Sequence, residues 1–322
     1  MNFTNENDSK TASFLQKKAI VALLACFCCF LWGSAFPSIK IGYAMFHIDS
    51  ADTGSQLLFA GYRFTLAGIM VILAGSLLQH KWLIPAISSY PRIVKLSLVQ
   101  TVLQYLLFYI GLAHASGITS SIVEASNVFF AILVASCLFH LEPLGRRKLT
   151  GCLIGFMGVV LINTAGESLS FHMSLAGEGC ILLSALSYAF SSVMIKRYSQ
   201  LENPVTLSGC QFICGGIILS LIGCCMGGKV SGFHTLSLLL LLYLAFISAT
   251  AYTIWGILLK YNPVGNVSIY GFMNPVCGVI LSALFLNEKK SFQLSTVIAL
   301  LLVCLGIWIV NREQPASRSS VH

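Results

Sequence analysis

The run Trp32-Gly33-Ser34-Ala35-Phe36-Pro37-Ser38-Ile39-Lys40 has an echo 156 residues later, in Tyr188-Ala189-Phe190-Ser191-Ser192-Val193-Met194-Ile195-Lys196. Both runs open on an aromatic residue and close on Ile-Lys. The echo continues in order down the chain. Gly61-Tyr62-Arg63-Phe64 with Gly68-Ile69 matches Gly209-Cys210-Gln211-Phe212 with Gly216-Ile217 at an offset of 148. Leu141-Glu142 matches Asn287-Glu288 at 146, and Gly158-Val159-Val160-Leu161-Ile162-Asn163 matches Gly306-Ile307-Trp308-Ile309-Val310-Asn311 at 148. Ordered matches at nearly one offset are the mark of an internal repeat.

The composition says where the repeated unit lives. The 322 residues are 57% hydrophobic and 9% charged, and mean hydropathy is +0.84. A soluble domain carries roughly 25% charged residues, so this chain lacks the charge to coat a water-facing surface. A helix crosses the hydrocarbon core with about 20 apolar residues. The apolar runs predict helices at 20–44, 57–78, 94–113, 118–140, 148–164, 176–196, 205–226, 236–258, 265–286 and 292–311. Each repeat then holds five crossings. Five is odd, so the second half enters from the opposite side, as in the inverted repeats of many secondary transporters. The expected fold is an all-α polytopic membrane protein of ten transmembrane helices in two inverted five-helix repeats. Residues 1–18 form a tail, 19–165 the first repeat, 175–311 the second, and 312–322 a second tail.

Charge orients this arrangement. Cytoplasmic loops carry the excess of Lys and Arg. With the N-terminus inside, fourteen of the 19 basic residues fall on the inner side. Lys229, Lys289 and Lys290 fall outside, and Lys40 and Arg63 lie within spans. Both termini are therefore expected in the cytoplasm, with the protein integral to a bacterial cytoplasmic membrane. The same loop charges account for the net charge of +8 without a nucleic-acid partner. The polar residues 1–18, with Glu6 and Asp8, read as a tail before a retained first helix rather than a cleavable signal. The 12 cysteines match no zinc or haem spacing, and the seven histidines lie in loops or at span ends. Neither a metal nor a cofactor is expected.

These residues resemble the drug/metabolite transporter superfamily of the EamA type. The resemblance rests on W-G-S-x-F-x-x-x-K at Trp32 to Lys40, on Arg63-Phe64, and on Gly111-Leu112. It continues through Glu142, Gly151 and Gly158 to Pro275, Glu288 and Gly306, covering roughly residues 20–311. It implies ten helices, a central cavity between the halves, and export or uptake of amino acids, other metabolites or drugs without ATP. One position departs from the pattern. The family often has proline in the middle of its fourth helix, and Phe129 stands there, 146 residues before Pro275.

Charges inside a bilayer are costly and need a reason. Lys40, Arg63 and Glu124 are expected at one level in the outer half, where Glu124 would neutralise Arg63 or Lys40. Such a set is either a fixed ion pair or a gate and coupling site, with the proton as the coupling ion and Glu124 its carrier. Glu124 and Asn127 share a face of the fourth helix, and Tyr270 and Asn274 take the corresponding face of the ninth. Gln100, Gln104 and Tyr105, then Thr250, Tyr252 and Trp255, add donors and flat aromatic surface. Trp32 and Tyr188 are the matched aromatics of the first and sixth helices. Each of these singly fits helix packing or an interfacial anchor; as a set they outline a substrate path. Pro37 and Pro275 are expected to interrupt their helices. A secondary transporter of small organic metabolites, working by efflux through alternating access, is the leading reading. A channel-like uniporter and an uptake carrier stay open. An intramembrane enzyme would need clustered catalytic groups, and no His or Asp lies deep in a span.

Overall fold

The computed structural model describes residues 11–49, 51–114, 123–164, 174–285 and 294–312. These are helical and contain no strand. We label the helices α1 (Lys18–Met45), α2 (Thr53–Leu78), α3 (residues 90–114), α4 (Asn127–Leu138) and α5 (Arg146–Thr164). They continue as α6 (Leu175–Tyr198), α7 (Pro204–Cys225), α8 (Thr235–Tyr261), α9 (residues 264–285) and α10 (Leu294–Asn311). Among the described residues, six helices are long and apolar enough to cross a membrane: α1, α2, the stretch Ile87–Leu112, α6, α7 and α8. Large apolar side chains such as Leu77, Leu78, Leu221, Leu239, Leu301 and Trp308 face outward. An apolar exterior of this extent suits lipid, not water.

Several helices begin earlier than hydropathy predicts. α2 opens at Thr53 because the Asp52 side chain accepts from the Ser55 backbone N–H at 2.9 Å, satisfying an orphan donor of the first turn. α7 opens the same way, with the Asn203 side chain on Val205 N–H at 2.9 Å and Pro204 in the first turn. His47, His80 and His140 follow helix ends with φ of 54°, 50° and 51°, the left-handed turn that terminates helices.

The packing has a pattern. α2 lies most extensively on α7, and α5 on α10. α1 packs on α8 and α9, while α6 packs on α3 and α4. α2 also touches α8, and α7 touches α3. Replacing each helix by the one five places away in the chain leaves this set of neighbours unchanged.

Glycines form the seam between α2 and α7. Gly54 faces Gly228, Gly61 faces Gly216, Gly68 faces Gly209, and Gly223 faces Gly54 and Leu58. The register rises on one helix as it falls on the other, so the two run antiparallel. A Cβ added at Gly68 would come within 2.5 Å of the Gly209 carbonyl oxygen. α5 and α10 meet likewise, with Gly151 on Gly306 and Gly158 on Ala299. Small residues at these positions let the backbones touch, and dispersion replaces the hydrophobic force that lipid cannot supply.

Two helices are broken at matched places. α9 runs Val264–Ser268, tightens to a 3₁₀ turn at Ile269–Phe272, and resumes as Met273–Phe285. Residues 123 and 124 are helical, 125 and 126 form a turn, and α4 then runs as Asn127–Leu133 and a wider π segment, Val134–Leu138. Residues 269–272 correspond to 123–126 at the offset of 146. The expected proline kink is corrected accordingly. Pro275 lies in the first turn of Met273–Phe285, where a missing N–H leaves no bond unmade. The interruption sits just before it, and α4 has its counterpart without a proline. Pro37 lies inside the continuous α1, and nearby Gly33 packs on Cys277 and Gly278 of α9.

Side chains also close the helix ends on one face of the bundle. Glu142 is 8% exposed and accepts from the Gly265 N–H, in the first turn of α9, at 2.8 Å, with Lys148 Nζ at 3.3 Å. Lys196 Nζ donates to the carbonyls of Lys260 and Asn262 at 3.1 and 2.8 Å, completing the end of α8. Glu288, expected to mirror Glu142, lies outside the described residues.

Candidate functional site

Arg63 is 4% exposed, on the face of α2 turned to α8. Its Nε donates to Ser248 Oγ at 2.9 Å, and that hydroxyl donates in turn to the Leu244 carbonyl at 3.2 Å. The repeat offset of 148 carries Arg63 to Gln211 on α7. There Thr101 Oγ1 donates to Gln211 Oε1 at 2.7 Å. Thr101 stands 147 residues before Ser248. Each half therefore holds a buried polar side chain by a hydroxyl from a helix of the other half. One of the two carries a charge and the other does not.

Aromatic rings fill the space between these anchors. Phe64 and Phe212, mates at the offset of 148, stack with centroids 5.3 Å apart and planes 19° apart. Tyr105 lies 4.6 Å from Phe64, and Tyr252 lies 5.1 Å from Phe212. The two tyrosine hydroxyls meet at 2.7 Å. Trp32 sits edge-on to Tyr252 at 5.1 Å and to Trp255 at 5.0 Å. The phenols of Tyr43, Tyr105, Tyr109 and Tyr252 all lie within electrostatic reach of the Arg63 guanidinium.

Glu124 stands at the break before α4. Asn127 is the side chain that reaches its carboxyl, and Tyr188 and Tyr252 lie within its electrostatic reach. Its Oε2 is buried without a hydrogen-bond partner. So are Trp32 Nε1, Trp255 Nε1, Gln104 Oε1 and Asn274 Oδ1. Buried polar atoms are nearly always paired. Orphaned donors and acceptors on α1, α3, α8 and α9 and at the break before α4 mark the interior.

The EamA-like transporter family matches this chain over residues 19–164 and 175–312. The chain belongs to that family. It is 27% identical over 315 residues to "Uncharacterized transporter YvbV" of Bacillus subtilis, covering 94% of this chain and 95% of that one. It is 26% identical over 297 residues to "Uncharacterized inner membrane transporter YedA" of Escherichia coli K12, covering 87% and 89%. A "WAT1-related protein", chloroplastic, of Arabidopsis thaliana is 25% identical over 292 residues, covering 88% and 67%. A solved crystal structure superposes with a TM-score of 0.73 at 16% identity, over 90% of this chain and 96% of that one, a likeness of fold. The protein is an integral membrane transporter of small molecules.

Within this EamA-like transporter, the residues predicted for a path fall unequally. Trp32, Tyr105, Tyr252, Trp255 and Arg63 form one connected cluster. Tyr188 joins it toward Glu124 and Asn127. Tyr270 is 6% exposed in the 3₁₀ turn of α9, where its carbonyl accepts from Cys29 Sγ at 3.2 Å. Asn274 is half-buried in the next turn. Gln100 is 3% exposed on α3. Lys40 is exposed on α1, unlike Arg63.

Of the two pairings expected for Glu124, with Arg63 or with Lys40, the one with Arg63 is not made. Ser248 holds Arg63, and Asn127 faces Glu124. Among the described residues no carboxylate lies within 4 Å of Arg63. Ser248, Tyr43 and Tyr109 went unnoticed in the sequence. Tyr109 is one turn beyond Tyr105, and Ser248 one turn before Tyr252, so helical spacing was the available signal. A separate apolar groove of about 320 Å³ on the outer face of α1 and α8, lined by Ile41, Met45, Leu236, Leu239, Leu240 and Tyr243, includes none of these residues.

Proposed function

We propose that the chain is a secondary transporter that exports small organic metabolites, such as amino acids or drugs, without ATP. It crosses a bacterial cytoplasmic membrane ten times as two inverted five-helix halves, with both termini in the cytoplasm. The solute passes between the halves, past Trp32, Tyr105, Tyr188, Tyr252 and Trp255, by alternating access. The observation that carries this reading is the pair of matched helix breaks, at 123–126 and 269–272. Irregular backbone at membrane depth is tolerated where it lines a cavity or packs in protein, and discontinuous helices at the repeat interface are where transporters place their sites. The antiparallel seam between α2 and α7 supports inversion, because repeat mates in an inverted pair must run opposite ways.

The bilayer is one partner, the solute a second, and the proton a third. Glu124 is the proton-carrying group of this reading, since its carboxyl stands at a helix break without a cationic partner among the described residues. Purified protein in liposomes, given a metabolite mixture with and without a pH gradient, tests the proposal. Saturable solute movement that follows the gradient, lost in Glu124→Gln, is the expected result. Movement indifferent to the gradient makes the protein a facilitator, and no movement of any solute ends the reading. Proteolysis of sealed right-side-out vesicles tests the orientation: both tails stay protected.

A further inference from the structure

A buried guanidinium normally faces a carboxylate. Leaving such a charge unpaired in low dielectric is expensive, and structures avoid it. Arg63 is 4% exposed; it donates to one neutral hydroxyl and lies over the face of Phe64 at 5.2 Å. Its other neighbours are phenols. Phenols donate hydrogen bonds as readily as they accept them. Tyr105 and Tyr252 share a single hydroxyl contact, so one of their two protons points elsewhere. The corner around Arg63 is thus rich in donors and holds no negative charge among the described residues.

The repeat supplies an independent argument. A structural role for a long polar side chain at this place is already met in the other half by neutral Gln211, held through Thr101. Packing does not require the charge. The walls next to Arg63 are Phe64, Tyr105 and Tyr252, which suit an apolar or aromatic body.

From this we infer that Arg63, with the phenols of Tyr105 and Tyr109, is the anchor for the carboxylate of an organic monocarboxylate solute whose apolar body lies on the Phe64, Tyr252 and Trp32 rings. The inference rests on the transport reading and narrows its substrate class. Arginine suits this task because its planar fork can take both carboxylate oxygens at once. The solute supplies the missing counter-charge, so the loaded site is neutral and the empty one is not.

Binding to purified full-length protein in detergent separates this from transport itself. Trp32 and Trp255 lie at the cluster and report occupancy through fluorescence. The probes are phenylacetate, its neutral isostere phenylacetamide, and sodium chloride at equal ionic strength. Phenylacetate is expected to give a saturable change at a concentration about tenfold lower than phenylacetamide, the scale of a hydrogen bond to a charged group. Arg63→Gln is expected to erase that preference, and Arg63→Lys to keep it while weakening binding. Equal binding of acid and amide, no saturable binding of phenylacetate, the same change with chloride alone, or a preference that survives Arg63→Gln each overturns the inference. Should Arg63→Gln fail to fold, phenylglyoxal labelling of the wild-type protein decides. Phenylacetate slows modification of Arg63 and phenylacetamide does not; equal labelling overturns the inference. A protein that binds phenylacetate this way yet moves nothing in liposomes refutes the transport reading and leaves the anion site standing.

Discussion

Arg63 on Ser248 and Gln211 on Thr101 occupy equivalent places, yet one is a cation and the other a neutral amide. The backbone around both is alike: each lies two residues after a seam glycine and one before a stacked phenylalanine. The capping residues repeat the contrast, since α2 opens on the carboxylate of Asp52 and α7 on the amide of Asn203. The lesson is that symmetry governs the scaffold, while charge is assigned to one half. A solute crossing between identical halves would meet the same chemistry twice. In the proposed path it would meet a positive corner once.

The comparison breaks most severely at the scaffold. Gly61→Leu drives a side chain into Ser220 and the Gly216 carbonyl. Overpacking costs about 1–3 kcal/mol in forgiving cores and more against backbone. The expected outcome is loss of the monodisperse species on size-exclusion chromatography. Next is Gln211→Arg, which makes the halves alike in charge. It buries a second guanidinium beside the Thr101 hydroxyl, at a cost of several kcal/mol per ion. Thermal unfolding in detergent should show a large fall.

Tyr252→Phe sharpens the comparison at the centre. It deletes the 2.7 Å contact with Tyr105 while keeping the rings on Trp32 and Phe212. About 1 kcal/mol of stability should go, with a larger change in solute affinity than in melting temperature. The caps offer a subtler test. Hydrogen bonds from the Ser55 hydroxyl and N–H hold the exposed Asp52 carboxyl below its usual range. A depressed value means the folded state favours the carboxylate. That stabilisation is present above the ordinary carboxylate range near 4 and is lost as pH falls through the lower folded value. Asp52→Ala should cost about 1 kcal/mol near neutrality, and Asp52→Asn should keep the cap while flattening the acid limb of a melting profile. The smallest effect is expected at Gly256, whose added Cβ would meet Ser208 Oγ at 3.5 Å and Ile195 at 3.7 Å. Gly256→Ala should change stability by less than about 1 kcal/mol, confirming that it is the seams, not glycine as such, that resist substitution.

Much of this was readable in the letters, because bilayer chemistry leaves few choices. Apolar length placed the helices, and the offset of 148 brought Gly61, Arg63, Phe64 and Gly68 into line with Gly209, Gln211, Phe212 and Gly216. Helix starts were less legible. Asp52, Thr53 and Ser55 look like a loop by hydropathy, but their polar atoms are what begin α2. The break before α4 left no proline to announce it, and Pro275 pointed a few residues past the break in α9. The partner of Arg63 was misjudged for a plain reason. Charge suggested a carboxylate, and the answer was a serine on α8 that depth along separate helices could not single out. Glu142, visible in the sequence only as the repeat mate of Glu288, is 8% exposed and bonded to the first turn of α9, a contact across 123 residues that no local pattern encodes.

The glycine faces of α2 and α5 find their complements on α7 and α10, so they are finished only when both halves are present. A five-helix half made alone would carry two unmatched surfaces. The shape that fits them is the same surface on a second copy turned over. Under the proposed inversion, one polypeptide holds the geometry of an antiparallel homodimer, and having both copies in one chain leaves a single arginine free to differ from its glutamine twin.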